Sequence, residues 1–199
     1  MTIPTLFTSR LTLRAFHESD ASQAERLTSE EAVARFTFVP RPSPVGGARS
    51  WIAGHEQDAL ARRRYSWAVV REAALVGGVE LAFDDVHGWA ELGFWLGVPY
   101  QRLGYASEAA ACALTYAFEA DVALRRVQAA VFVENTSSRA LLERLGFRCE
   151  GVLRALGRPG PHRGGDMAMY AMTREDFVRE IARRSPVTRP ASLVPRRSS

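Results

Sequence analysis

The chain has 199 residues, of which 47% are hydrophobic, 24% charged and 10% aromatic, enough for one good-sized globular domain and too few for two typical ones. That profile excludes a disordered chain, a collagen-like chain and a disulfide scaffold, and no apolar run approaches the roughly 20 residues that span a bilayer. The formal charge of +4 suggests an anionic macromolecule as partner, but all 26 cationic residues are Arg, and five of them (Arg183, Arg184, Arg189, Arg196, Arg197) follow residue 182, where there is no acid. Residues 1–182 therefore carry 21 Arg against 22 acids, a net charge of −1. No nucleic-acid partner is expected of this body, and the Pro/Ser/Arg-rich stretch 183–199 is expected to be a disordered basic tail. Met1 to Phe7 contain no basic segment followed by an apolar one, so no secretion signal is expected and the cytoplasm is the default compartment. The two cysteines, Cys112 and Cys149, form no CxxC, and no His/Cys/Asp cluster has metal-ligand spacing, so no metal is expected.

In chain order, Arg10–Arg14 alternates as a strand, and Glu18 to Arg35 is helical, with Asp20 as a cap and a break near Thr28-Ser29. A loop rich in Pro and Gly follows (Pro40, Pro42, Pro44, Gly46, Gly47), and then an apolar stripe from Trp51 through Ile52, His55, Ala59 and Leu60 predicts a helix reaching Arg64. Ser66–Arg71, Leu75–Phe83 and Trp89–Val98 read as an antiparallel meander. Beyond it the pattern alternates between helix and strand. Gly104 opens a helix in which Ala106, Ala109, Ala110, Ala113, Leu114 and Ala117 share one face. Val127–Val133 is a strand, and Leu141, Leu142 and Leu145 face a short helix ended by Gly146, where a left-handed cap is expected. Phe147–Leu153 and Asp166–Thr173 complete a mixed α/β (α+β) single domain of about seven strands, mostly antiparallel and flanked by helices, with a parallel pair around the Gly104 helix.

The stretch that carries chemistry is Glu91 to Ala106, where a strand runs into the turn Gln101-Arg102-Leu103-Gly104-Tyr105-Ala106 and the turn opens a helix. Free N–H groups at a helix start, aligned with its dipole, make an anion site. Gly104 lets the backbone approach a phosphate, Ala106 is too small to block it, and Arg102 adds charge. An ordinary strand–turn–helix junction fits the same residues. The turn is neither GxGxxG nor GxxxxGK[ST], so dinucleotide and nucleoside-triphosphatase readings fail.

A second segment, Asn135-Thr136-Ser137-Ser138 followed by Leu145-Gly146-Phe147, stands one strand later. Taken together, the two segments resemble the GNAT superfamily of acyl-CoA-dependent N-acyltransferases. The resemblance is closest to its ribosomal-protein N-terminal acetyltransferase-like branch, which has counterparts of Leu11–Arg14, Ala90–Leu96, Gly104–Ala109 and Gly146–Gly151. It covers the chain from about Arg10 to Phe177. It implies a sheet splayed between the fourth and fifth strands of the seven, with acetyl-CoA as co-substrate. The pantetheine arm would pair with backbone near Phe94, Trp95 and Leu96, and the pyrophosphate would sit on N–H groups around Arg102, Leu103, Gly104, Tyr105 and Ala106, with Gln101 opening the turn. Asn135 suits either a hydrogen bond to the pantetheine amide or the start of its helix, and Ser137 or Ser138 suits a helix cap equally.

Acyl transfer needs a neutral amine, a stabilised oxyanion and a protonated leaving thiolate. The resemblance puts the oxyanion donor at the backbone N–H near Leu96. The Tyr that many members use as acid falls at Leu142, and the branch's Ser falls at Ser138, the candidate for protonating the thiolate. The branch's Glu falls at Gly157, which leaves Glu91 as the candidate base, on one face with Gly93 and Trp95. Asp166, His162 or water are the other options. The expected activity is acetyl transfer to a primary amine, on a protein N-terminus or a small molecule, by a monomer or homodimer acting away from membranes. The alternative is a non-catalytic acyl-CoA-binding module on the same fold. Phe36, Phe38, Trp51, Tyr65, Trp67 and Trp89 are available either to an acceptor pocket or to the core.

Overall fold

The structure is a computed structural model that describes residues 3–37, 46–157 and 165–184. One sheet runs through it in the order β1-β2-β3-β4-β5-β6-β8-β7, with strands β1 (Leu6–Phe7), β2 (Thr12–Ala15), β3 (Arg64–Arg71), β4 (Ala74–Asp84), β5 (Trp89–Leu96), β6 (Arg126–Phe132), β7 (Arg148–Leu153) and β8 (Met167–Thr173). All neighbours are antiparallel except β5 and β6. The expected meander is β3–β4–β5, and the expected parallel pair flanks helix α4 (Tyr105–Ala120). The two-residue edge strand β1 is an addition to the sequence reading, too short to carry an alternation signal.

The other helices are α1 (Ala21–Ser29), α2 (Glu31–Ala34), α3 (Gly47–Leu60), α5 (Thr136–Leu145) and α6 (Arg174–Arg184). The break in the first helical stretch falls at Glu30, whose ψ of 130° is extended. Asp20 does not cap α1. Its carboxylate instead accepts the His17 N–H (2.7 Å) and both Arg14 Nη atoms (2.7 and 2.9 Å). Burial alone would raise its pKa, but these partners more than offset that and hold it below the usual value. Removing Arg14 would strand this buried charge at a cost of about 3–5 kcal/mol. Helix α6 begins on a capping box: the Thr173 hydroxyl accepts the Asp176 N–H (3.2 Å), while the Asp176 carboxylate accepts the Thr173 N–H (3.2 Å).

Both faces of the sheet are covered, for different reasons. The Ala-rich face of α4 lets it lie close on the sheet: Ala109, Ala110, Ala113, Leu114 and Ala117 are buried against Trp67, Val79, Leu81, Leu92 and Val127. Tyr65 and Trp67 belong to this core. On the opposite face, α1 and α3 bring Leu27 and Ile52 onto Phe16, Ala68 and Trp95. The β3–β4–β5 register places Arg64, Ser66, Glu80, Glu91, Gly93 and Trp95 on this second face. Gly146 closes α5 at φ 100°, the left-handed cap that the sequence predicts.

Candidate functional site

Strands β5 and β6 pair only where Trp89, Ala90 and Glu91 meet Arg126, Val127 and Gln128. Both continue beyond that point, to Leu96 and Phe132, without pairing. The result is a gap with one edge of β5 open to it. The Gly97 N–H donates to Val76 O (3.0 Å), and antiparallel ladders alternate. Trp95 therefore bonds toward β4, while Phe94 and Leu96 turn their N–H and C=O groups into the gap. Of the three residues expected near pantetheine, Phe94 and Leu96 turn backbone groups into the gap and Trp95 turns its own toward β4. The Gln101 side chain donates to Leu96 O (3.0 Å), so it ties the turn to the strand and leaves the Leu96 N–H facing the gap.

The turn that follows is held in a shape that only part of its sequence favours. Arg102 has φ 61° and Gly104 φ 82°, the left-handed region that costs a side-chain-bearing residue about 1–2 kcal/mol. At Gly104 an added Cβ would meet only Arg10 Nη2, at 3.3 Å. Helix α4 starts directly behind it, and the N–H groups of Tyr105, Ala106 and Ser107 have no carbonyl within the helix. Arg102 and Leu103 are exposed on the rim. Tyr105 contributes backbone alone, because its ring is buried beneath the Arg10 guanidinium, 4.7 Å from the ring centroid. Arg10 braces the turn, donating to Leu103 O (3.0 Å) and to Glu108 Oε2 (2.7 Å). Burial would raise the Glu108 pKa, yet its bonds to Thr8 and Arg10 hold it low, so a charged brace stands at the helix start. Arg102 has no such partner among the described residues and is free to meet an anion.

Across the gap, the Asn135 Oδ1 accepts the Ser138 N–H (3.1 Å). Asn135 thus holds the start of its helix through Oδ1. The Ser138 side chain is half-buried, and its hydroxyl has no partner among the described residues. Leu142 is fully buried. Arg139 and Glu143 both bond the Tyr170 hydroxyl (3.1 and 2.8 Å), fixing α5 on β8.

Two carboxylates lie on the second face of the sheet beside the gap. Glu91 stands at the last β5–β6 pair. Glu80, which the sequence reading passed over, lies directly opposite Gly93 on β4, with Arg64 Nη1 3.5 Å from its Oε2. Burial raises the Glu80 pKa and Glu91 adds to the rise, while Arg64 opposes it. Spaced eleven residues from Glu91 across a meander turn, Glu80 was detectable only with the register in hand. His55 on α3 is buried with both ring nitrogens unpartnered among the described residues. Burial pushes its pKa down to about 4, so it is neutral at neutral pH.

Gly157 leaves no space for a side chain: a Cβ there would lie 2.6 Å from Phe132 Cε1 and 3.0 Å from Gly165 O. Asp166 accepts the Ala155 N–H (2.9 Å) and is a turn residue; His162 and Phe38 lie outside the described residues. Phe36 stands 6.3 Å from Phe132 at the mouth of the gap, and Trp51 packs on Phe16 and His55. Among the described residues no group of three His, Cys, Asp or Glu side chains is placed to hold a metal, and no helix is long and apolar enough to cross a membrane.

Residues 10–148 match the acetyltransferase (GNAT) domain family, whose span contains the gap, the turn and Ser138. The chain belongs to this family. The GNAT chain is 32% identical over 154 residues to the uncharacterized N-acetyltransferase YoaA of Bacillus subtilis, covering 76% of this chain and 86% of the relative. It is 33% identical to YdaF of the same organism, whose name assigns it provisionally to ribosomal N-acetylation, over 85% of this chain and 94% of YdaF. Its fold superposes on Mycobacterium smegmatis RimJ, solved in complex with CoA-disulfide, with a TM-score of 0.78 at 24% identity, covering 92% and 97% of the two chains. As a GNAT N-acetyltransferase, the chain has acetyl-CoA as its co-substrate, and the splayed sheet and open helix start are where the resemblance leads one to look for it.

Proposed function

We propose that this GNAT N-acetyltransferase acetylates the amino terminus of a peptide or protein, by direct attack on acetyl-CoA in a ternary complex. The reading rests on one observation. The open edge of β5, with Phe94 and Leu96 turned into the gap, runs straight into a helix start whose N–H groups have no partner among the described residues. An extended polar arm ending in phosphates fits that geometry, and the N–H groups of Arg102 to Ala106 would carry the pyrophosphate. In this reading the Leu96 N–H, which faces the gap, stabilises the oxyanion, and the Ser138 hydroxyl gives a hydrogen bond or proton to the departing thiolate. Glu91 brings negative charge to the acceptor side of the gap. A peptide acceptor is supported by YdaF, named for ribosomal N-acetylation, and by a mouth lined with Phe36 and Phe132, which suits a chain terminus with side chains to recognise.

The test is a thiol-release assay with acetyl-CoA against peptides beginning with Ala, Ser, Thr or Met, and against polyamines, free amino acids and aminoglycosides. Turnover of peptides, with one acetyl group located on the α-amine by mass spectrometry, is expected. Turnover confined to small amines would overturn the acceptor assignment. Acetyl-CoA binding without any turnover would leave a binding module.

A further inference from the structure

We propose that Glu80 is the catalytic base, taking the proton from the acceptor ammonium so that a neutral amine attacks the thioester. This rests on the acetyl-transfer reading above and names the residue that serves it.

The geometry begins with Gly93. It lies two residues beyond the last β5–β6 pair, in the strand that walls the gap, and it stands directly opposite Glu80 in the β4–β5 register. A Cβ on Gly93 would lie 3.0 Å from Glu80 Cγ and 3.2 Å from its Oε1. The missing side chain is thus what lets the Glu80 carboxylate lie over β5, the strand that walls the gap. Arg64 approaches the other oxygen, Oε2, leaving Oε1 as the one turned to Gly93. Meanwhile the position to which the resemblance assigns a base, Gly157, has no room for any side chain, since Phe132 Cε1 and Gly165 O occupy the space. Of the two carboxylates on this face, Glu91 stands where β5 and β6 still pair, while Glu80 lies over Gly93, where β5 has left β6.

The surroundings suit a base that must hold and release a proton. Burial lifts the Glu80 carboxyl, Glu91 on β5 and Asp58 on α3 lift it further, and Arg64 and the Ser66 hydroxyl on β3 pull it back. His55, also on α3 and interacting with the same Arg64 and Asp58, is neutral and adds no charge.

The step balances. The ammonium gives one proton to the Glu80 carboxylate, and the freed nitrogen lone pair forms the C–N bond as the thioester carbonyl becomes an oxyanion on the Leu96 N–H. Collapse of the oxyanion breaks the C–S bond, and the remaining excess proton on nitrogen passes to the thiolate with Ser138 as relay, leaving amide and CoA. Glu80 then returns its proton to water.

The test uses two small nucleophiles that need no acceptor pocket: ethylamine, an ammonium at the assay pH, and hydroxylamine, neutral there. Glu80→Gln should lower kcat for ethylamine by about a hundredfold while leaving hydroxylamine turnover and the acetyl-CoA Kd within twofold, and Glu80→Asp should restore part of the loss. In the pH profile, Glu91→Gln should move the acidic limb to lower pH and Arg64→Gln should move it to higher pH, as the charges around Glu80 require. Equal losses for both nucleophiles would make Glu80 structural, and an unchanged ethylamine rate or unmoved limbs would overturn the assignment. If the wild-type protein acetylates hydroxylamine but not ethylamine, there is no base and the proposal falls. If it binds acetyl-CoA and acetylates neither of these nor any of the peptides above, acetyl transfer itself falls and Glu80 with it.

Discussion

Helices α4 and α5 start where the parallel strands β5 and β6 end, so both point their N-terminal dipoles at the same end of the sheet. At α5 the side chain of Asn135 accepts the Ser138 N–H, and the start is closed. At α4 the residue before the helix is Gly104, with a left-handed backbone and no side chain to offer, and the start is open. The difference teaches how one supersecondary pattern serves two ends. An uncapped start keeps its N–H groups for an anion. A capped start spends a free donor on structure, here the Ser138 N–H, while the Ser138 hydroxyl has no partner among the described residues.

The comparison breaks most visibly at Gly104. Gly104→Val puts a branched side chain at φ 82°, where the backbone alone costs about 1–2 kcal/mol. With the N–H face also covered, acetyl-CoA affinity by calorimetry should fall about a hundredfold. A melting temperature lowered only by the few degrees that this strain costs would place that loss in the site. At the other helix, Ser138→Ala should lower kcat about tenfold without changing the acetyl-CoA Kd; a tenfold weaker Kd with unchanged kcat would make Ser138 a binding residue. Asn135→Ala should cost about 1 kcal/mol in urea unfolding and leave CoA affinity intact, since its carbonyl is committed to the cap; lost affinity with unchanged stability would reverse that assignment. The smallest effect is expected at the exposed Arg102. Arg102→Ala should weaken CoA binding roughly threefold at low salt, a difference that fades as salt screens the charge.

The open helix start was legible in the sequence because its chemistry is local. A glycine, a small residue and an arginine within six positions mark a helix start with no side-chain cap. The splay entered through resemblance, and the β5–β6 register gives it a place: pairing stops at Glu91 and Gln128. Of the two roles open to Asn135, holding the helix start is the one that the Ser138 N–H makes visible. What escaped the sequence depends on distance along the chain. Arg10 braces a turn that lies 93 residues away, and Glu80 acquires its position only because Gly93 stands opposite it. Helix α6 did carry a local signal, the capping box Thr173-Arg174-Glu175-Asp176, but it follows β8 without a loop, so no turn residues mark its start.

The contrast between the two helix starts is tested most directly by following backbone amide signals in NMR while CoA is added. Downfield shifts are expected at Arg102 to Ala106 and, along the open strand edge, at Phe94 and Leu96, with Thr136 and Ser137 unmoved. Shifts gathered at Thr136 and Ser137 with Arg102 to Ala106 unchanged, or no shift at either helix with CoA in excess, would contradict it.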